Sequence, residues 1–182
     1  MTNFPVNTID SAPELSKPAL KQLQAAFGVI PNIAGAMSTS PVLINSLVGL
    51  FGNVHGGNFT EAQVQTVLLT NAVTNGCTWA VAFHTALALK EGLDPADVEA
   101  IRERRLPKDS QHAALSLLAK TLIEKRGRLD DRDVDRFMAA GFGKDLALEV
   151  IAIVAASTIT NYTGSVTKTP LEAPFQAYAW SV

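Results

Sequence analysis

The chain reads as an all-α domain. Helix start and stop signals recur along its length, strand signals are weak throughout, and nearly half of its 182 residues are hydrophobic, enough for one well-filled core. Pro18 to Phe27 forms a first amphipathic helix that Gly28 stops. Ser40-Pro41 supplies an N-cap followed by proline at the first helical position, opening a helix through about Gly49 or Val54. Thr60-x-x-Gln63 is a capping-box pattern, so a helix runs from Glu61 to about Thr74. Asn75-Gly76 breaks the chain, and the next helix carries Cys77 to about Lys90, ended by Gly92. Asp94-Pro95 caps a short helix into the Arg102 region, Asp109 or Ser110 starts one that ends before Gly127, and Asp130 caps one through Ala139. Gly141-Phe142-Gly143 precedes a long apolar helix, and Pro170 closes the helical part. No low-complexity tract or long linker interrupts this order, so residues 1–182 are read as one domain.

Composition narrows the function. A formal net charge of −2 gives no reason to expect nucleic acid or an anionic membrane as partner. The run Arg102-Glu-Arg-Arg105 reads as a solvated helix end. Met1-Thr-Asn-Phe-Pro5 has no basic region leading into an apolar stretch, so no signal peptide is expected there. A single cysteine excludes a disulfide within one chain and fits a reducing compartment, the cytoplasm by default. The apolar run from Leu146 to Ile159 is interrupted by Glu149 and is too short to cross a bilayer. It is apolar nearly all round, so it forms either the centre of the fold or a face against another subunit.

The most informative segment is Asn75-Gly-Cys-Thr-Trp-Ala-Val-Ala-Phe-His84, which holds that single cysteine. A spacing of seven is close to two helical turns, so Cys77 and His84 share a face, with Ala80 between them. If the helices on either side of Asn75-Gly76 fold back antiparallel, residues equally far from the pivot lie at equal depth. Gln65, ten positions before Asn75, then faces His84, nine after it.

This segment resembles the CxxC-x-x-x-H signature of the alkylhydroperoxidase D / carboxymuconolactone decarboxylase family, with Cys77 and His84 matching and Ala80 in the place of the second cysteine. Phe27-Gly-Val-Ile-Pro-Asn32, Thr60-Glu-Ala-Gln63, Asn161-Tyr-Thr163 and Thr169-Pro-Leu171 extend the likeness over most of the chain. The resemblance implies an alkylhydroperoxidase D-like helical domain built on an antiparallel core helix pair. It also implies a peroxidase-type oxidoreductase lineage in which two cysteines cycle between dithiol and disulfide while a glutamate and histidines relay protons. Here Ala80 removes the attacking thiol, Gln65 replaces the relay glutamate with an amide that is no base near neutral pH, and Trp79 stands where the alkylhydroperoxidase D branch has a relay histidine. The dithiol cycle is therefore expected to be impaired.

The candidate working residues are Cys77, His84 and Gln65, with Trp79, Ala80 and Phe83, flanked by Val81, as candidate pocket residues. Near a helix start the macrodipole and free amides favour a Cys77 thiolate, yet an inert buried thiol is the favoured reading. A one-cysteine cycle would need an external thiol reductant or a neighbouring subunit to resolve it. His84 is equally a core histidine bonded to Gln65 and a proton-transfer group. Carboxymuconolactone-type lyase chemistry at His84, and a non-catalytic binding or assembly role, are the alternatives; no cationic cluster near the motif marks a dicarboxylate site. His55 and His112 lack companions at metal-ligand spacing and read as surface residues, and neither metal nor cofactor is expected. Glu149 is expected to be buried against a lysine or arginine. A homo-oligomer, trimer or hexamer, is implied by the resemblance. The Leu146–Ile159 helix and the aromatics Phe175, Tyr178 and Trp180 give an independent motive, since one chain has limited room to bury them all.

Overall fold

In the computed structural model, residues 4–181 are described; Met1–Asn3, part of the segment read as lacking a leader, and Val182 lie outside. Nine α-helices follow one another with no strand among the described residues: α1 Lys17–Phe27, α2 Asn32–Met37, α3 Pro41–His55, α4 Glu61–Thr74, α5 Thr78–Lys90, α6 Pro95–Arg102, α7 Ser110–Glu124, α8 Asp131–Ala139 and α9 Lys144–Thr167. Short 3₁₀ turns at Glu14–Ser16 and Ala173–Tyr178 flank them. The capping residues named from the sequence make the expected bonds. Ser40 accepts from the Leu43 amide, Asp109 from the Gln111 and His112 amides, and Thr60 and Asp130 each form reciprocal capping boxes. The short α2 falls inside and beyond the Phe27–Asn32 loop and had no cap to announce it.

The centre of the fold is α4. Every residue from Val64 to Val73 is buried. Leu69, Ala72 and Val73 join a core with α1, α2, α3, α5 and α6, while Val64, Val67 and Leu68 join a second with α7, α8 and α9. This corrects one of the two expectations for the long apolar helix, which is not the centre. Hydropathy alone favours α9, but the polar side chains of α4 find hydrogen-bond partners, the Asn71 Oδ1 excepted, which lowers the cost of burying them. Thr66 Oγ1 donates to the Ala62 carbonyl, Thr70 to Ser116 Oγ at 2.9 Å and Asn71 Nδ2 to the Val154 carbonyl.

At 24 residues α9 is longer than the apolar run suggested; its most apolar 18-residue stretch has a mean hydropathy of 1.4, long and apolar enough to cross a membrane, and a third of that stretch is buried. One side packs on α2, α3, α4, α5, α7 and α8. The other carries exposed Leu148, Ile151, Ala155, Tyr162 and Val166 at steps of three, four and seven residues, which lie on one face of the helix. Glu149 is half-buried, and its partner is no cation. Its two oxygens accept from the Asn58 amide at 2.7 Å and Asn58 Nδ2 at 2.9 Å, pinning the loop between α3 and α4. The C-terminal aromatics also pack on their own chain. Phe175 meets Phe83 edge-on at 5.1 Å, and Trp180 Nε1 donates to the Arg102 carbonyl.

Candidate functional site

The α4–α5 hairpin positions the site. Gly76 adopts φ 66°, which L side chains rarely reach, and lets the Cys77 amide close onto the Ala72 carbonyl at 3.0 Å. The two helices then return antiparallel, and the depth argument from the pivot holds. His84 Nδ1 and Gln65 Oε1 lie 3.0 Å apart, with only 5% and 2% of these residues exposed. Since an amide oxygen only accepts, the imidazole carries its hydrogen on Nδ1 and keeps the Nε2 lone pair free. Burial, reinforced by the charge of His55, pushes the His84 pKa down to about 3, so the ring is neutral across the physiological range.

His84 lies in the wall of a small apolar cavity with Phe27, Leu47, Phe51, Trp79 and Phe83. Trp79 and Phe83 stack at 4.8 Å, and Phe83 meets His84 edge-on at 5.4 Å. Trp79 and Phe83 line this cavity. Ala80 does not: it is fully buried and contributes nothing to that wall, and Val81 is likewise interior. The Trp79 indole N–H donates to Glu172 Oε2 at 2.9 Å, and the other Glu172 oxygen accepts from the Asn32 amide, tying the C-terminal segment to α2 and α5.

Cys77 lies elsewhere. It is the N-cap of α5 rather than a residue of its first turn, and its side is turned toward α9. The pocket there is shared with Trp79, Ser165, Lys168 and Thr169, whereas Cys77 has no part in the His84 cavity. A Cβ on Gly164 would fall 2.8 Å from its sulfur, so only a glycine permits this approach. With 2% of the residue exposed, burial raises the thiol pKa; amides of Ala80 and Trp79 and the Ser165 hydroxyl pull the other way without prevailing. Desolvation thus opposes the thiolate that the helix start favours, and Cys77 is a buried thiol.

Both histidines read as surface residues have partners. His112 Nδ1 pairs with Thr66 Oγ1 at 2.7 Å. His55 ends α3, its Nδ1 lies 2.8 Å from Glu61 Oε2, and its ring packs on Phe51 at 4.0 Å. α3 continues through Val54 to His55 and delivers the ring against α4. Glu61 was legible as a neighbour of the site, since it precedes Gln65 by one turn on the helix already placed opposite His84. Among the described residues, no group of three potential ligands is arranged to hold a metal.

Residues 45–121 match the model of the carboxymuconolactone decarboxylase family. A search of curated proteins finds no match. Solved structures resemble the chain nearly end to end. An alkylhydroperoxidase AhpD core, an uncharacterised peroxidase-related protein from Ralstonia eutropha JMP134, superposes with a TM-score of 0.83 at 15% identity, covering 95% of this chain and 93% of that one. The debrominase Bmp8 gives 0.81 at 19% identity over 98% and 96%. A peroxidase-related protein from Silicibacter sp. TM1040 gives 0.77 at 16% over 96% and 92%. The chain thus has the all-helical alkylhydroperoxidase D-like fold. Gln65, Cys77 and His84 all fall within the segment that matches the carboxymuconolactone decarboxylase family model.

Proposed function

We propose that this alkylhydroperoxidase D-like protein works by proton transfer at His84 on a small uncharged ring compound, and not by thiol redox cycling. The observation that carries the reading is the division of the site. The neutral, Gln65-held imidazole faces an aromatic cavity, while the sole cysteine is buried on the α9 side. A neutral imidazole with a free Nε2 accepts a hydrogen bond or a proton from a bound N–H, O–H or acidic C–H group. The cavity wall includes no lysine or arginine, which disfavours the dicarboxylate of a carboxymuconolactone-type lyase. Its volume of about 40 Å³ requires a compact ligand or rotation of Phe27 or Phe51. A variant of the Bmp8 debrominase has been crystallised with 2,3,4-tribromopyrrole, so this fold can accommodate a small aromatic ring.

Pyrrole and phenol are suitable probes, each a compact ring with one polar hydrogen. Both are expected to shift the His84 ring resonances saturably. His84→Gln should weaken binding about tenfold, the equivalent of one buried hydrogen bond, whereas Cys77→Ser should leave it unchanged. Dithiothreitol-dependent turnover of cumene hydroperoxide that is abolished by Cys77→Ser and untouched by His84→Gln would overturn the reading in favour of a one-cysteine peroxidase cycle.

The chain is further proposed to form a homo-oligomer, a trimer or hexamer, in the cytoplasm. The exposed α9 stripe supports this, while the C-terminal aromatics, packed on their own chain, no longer do. Light scattering that returned a stable 19.3 kDa monomer at micromolar concentration would exclude it.

A further inference from the structure

We propose that the cavity between α4, α7 and the turn that leaves α6 binds a compact organic carboxylate carrying a second oxygen acceptor, a class of which an oxo-carboxylate is the simplest member. Its volume is about 200 Å³ against about 40 Å³ for the His84 cavity, and the two share no lining residue. The innermost groups are polar. Thr70 of α4 and Ser116 of α7 are 4% and 3% exposed, and their hydroxyl oxygens lie 2.9 Å apart. Two hydroxyls so paired hold one hydrogen bond between them, which leaves one hydroxyl hydrogen over. No acceptor among the described residues takes it. A buried donor in that condition is costly, and an oxygen atom of a bound molecule would satisfy it.

The exposed rim is cationic. Helix α6 ends in a turn in which the Arg104 amide closes on the Ile101 carbonyl at 2.9 Å and the Arg105 amide on the Ala100 carbonyl at 2.7 Å, with Arg104 at φ 63°. The turn brings Arg104, Arg105 and Leu106 to the cavity. Arg102 takes no part, since its guanidinium donates to Thr85 Oγ1 and to the carbonyls of Tyr178 and Ala179. The run read from the sequence as a solvated helix end is therefore divided between a tie to the C-terminal segment and a cavity rim. The Arg104 guanidinium is steadied by Trp180, whose ring centre lies 5.6 Å away. Lys120 of α7 adds a third cation to the lining, against one carboxylate, Glu124, which stands 3.8 Å from Lys120. The charge stays positive even when Glu103, the partner of Arg105, is counted with them.

These parts together define the ligand class. Guanidinium groups at the rim match the planar fork of a carboxylate. The side chains of Ile101, Leu106 and Ile123 complete the lining with hydrocarbon, which an inorganic anion would leave uncovered. A plain fatty acid covers that hydrocarbon but gives the spare Thr70–Ser116 hydrogen no acceptor. A carboxylate with a short hydrocarbon spacer and a carbonyl at its other end answers all three.

The test compares three probes by amide resonance shifts in the 15N-labelled chain. Levulinate has the carboxylate, the spacer and the ketone; pentanoate lacks the ketone oxygen, and 2-pentanone lacks the charge. Levulinate is expected to shift the amides of Thr70, Ile101 and Ser116 saturably, and each of the other two to bind about tenfold more weakly. Thr70→Val with Ser116→Ala removes both hydroxyls at once and so strands neither. In that variant levulinate should bind no better than pentanoate, while pentanoate itself is unchanged. Arg104→Gln with Lys120→Gln should weaken both carboxylates about tenfold and leave 2-pentanone as it was. Absence of saturable shifts at these amides overturns the proposal. So does equal binding of levulinate and 2-pentanone, or a preference for levulinate over pentanoate that survives the loss of both hydroxyls. Should the hydroxyl variant fail to fold, the ranking of the three probes on the unaltered chain decides alone. The His84 ligand site is tested separately, by pyrrole and phenol.

Discussion

The two sides of α5 contrast sharply although they stem from one ten-residue segment. Toward α9, Cys77 is pressed beneath Gly164 beside Ser165, Lys168 and Thr169, and burial raises its thiol pKa. Toward α1 and α3, His84 is held by Gln65 at the wall of an aromatic cavity, and burial holds its ring neutral. Desolvation suppresses the charged form in both cases, with opposite consequences. A protonated thiol has lost its nucleophile, whereas a neutral imidazole has gained a usable lone pair. The same burial thus disfavours a thiolate on one side and favours a neutral imidazole on the other.

The most drastic way to break the contrast is to return the missing groups. Gln65→Glu with Ala80→Cys places a thiol three residues after Cys77, and a reversible disulfide and measurable peroxide reduction are expected. The rate should remain low because Trp79 still occupies the relay position. The completely buried Ala80 leaves little room for sulfur, so a stability loss of about 1–2 kcal/mol should accompany the gain. Thiol titration before and after mild oxidant checks it, and a folded double variant that forms no disulfide would refute the alignment of this segment with the signature.

The next largest effect is on stability against pH. The His84 pKa lies at about 3 in the folded chain and near 6.5 when unfolded. The unfolded state therefore binds the proton first, and stability is full above pH 6.5 and declines as pH falls toward 3. At ~1.4 kcal/mol per unit, the decline amounts to a few kcal/mol. His84→Gln should flatten this part of the profile, which denaturant midpoints at several pH values will show. An equally steep decline in the variant would place the titrating group elsewhere.

The smallest effect sharpens the cysteine side. Gly164→Ala gains about 1 kcal/mol of helix propensity but sets its Cβ against the Cys77 sulfur. The overlap should prevail, leaving the variant destabilised by about 1 kcal/mol. In a Cys77→Ala background the overlap disappears, and the same substitution should become stabilising. Thermal melts of the four proteins read that change of sign, and additive effects would mean that the sulfur does not rest on Gly164.

The helical framework was legible because its punctuation is local. Ser40, Thr60, Asp109 and Asp130 cap helices with their own side chains, and Gly76 is needed where the hairpin turns. The facing of Gln65 and His84 was legible too, since counting residues from a tight turn fixes depth on both helices. Cys77 was located but its state was not. A helix start argues for a thiolate, and only the approach of Gly164 reveals how completely the sulfur is desolvated. His55 and Glu149 were misjudged for a related reason, as their partners lie on other helices or loops. Nothing in their own neighbourhoods reports these contacts.

The sequence by itself determined the helices, the hairpin and the loss of a second thiol, because propensity, capping and residue identity act over a few positions. Tertiary structure decided which helix is central, which side of α5 each group serves and which protonation state it holds. Those properties depend on burial and on partners supplied by distant segments. Desolvation exists only once the chain has closed around the group.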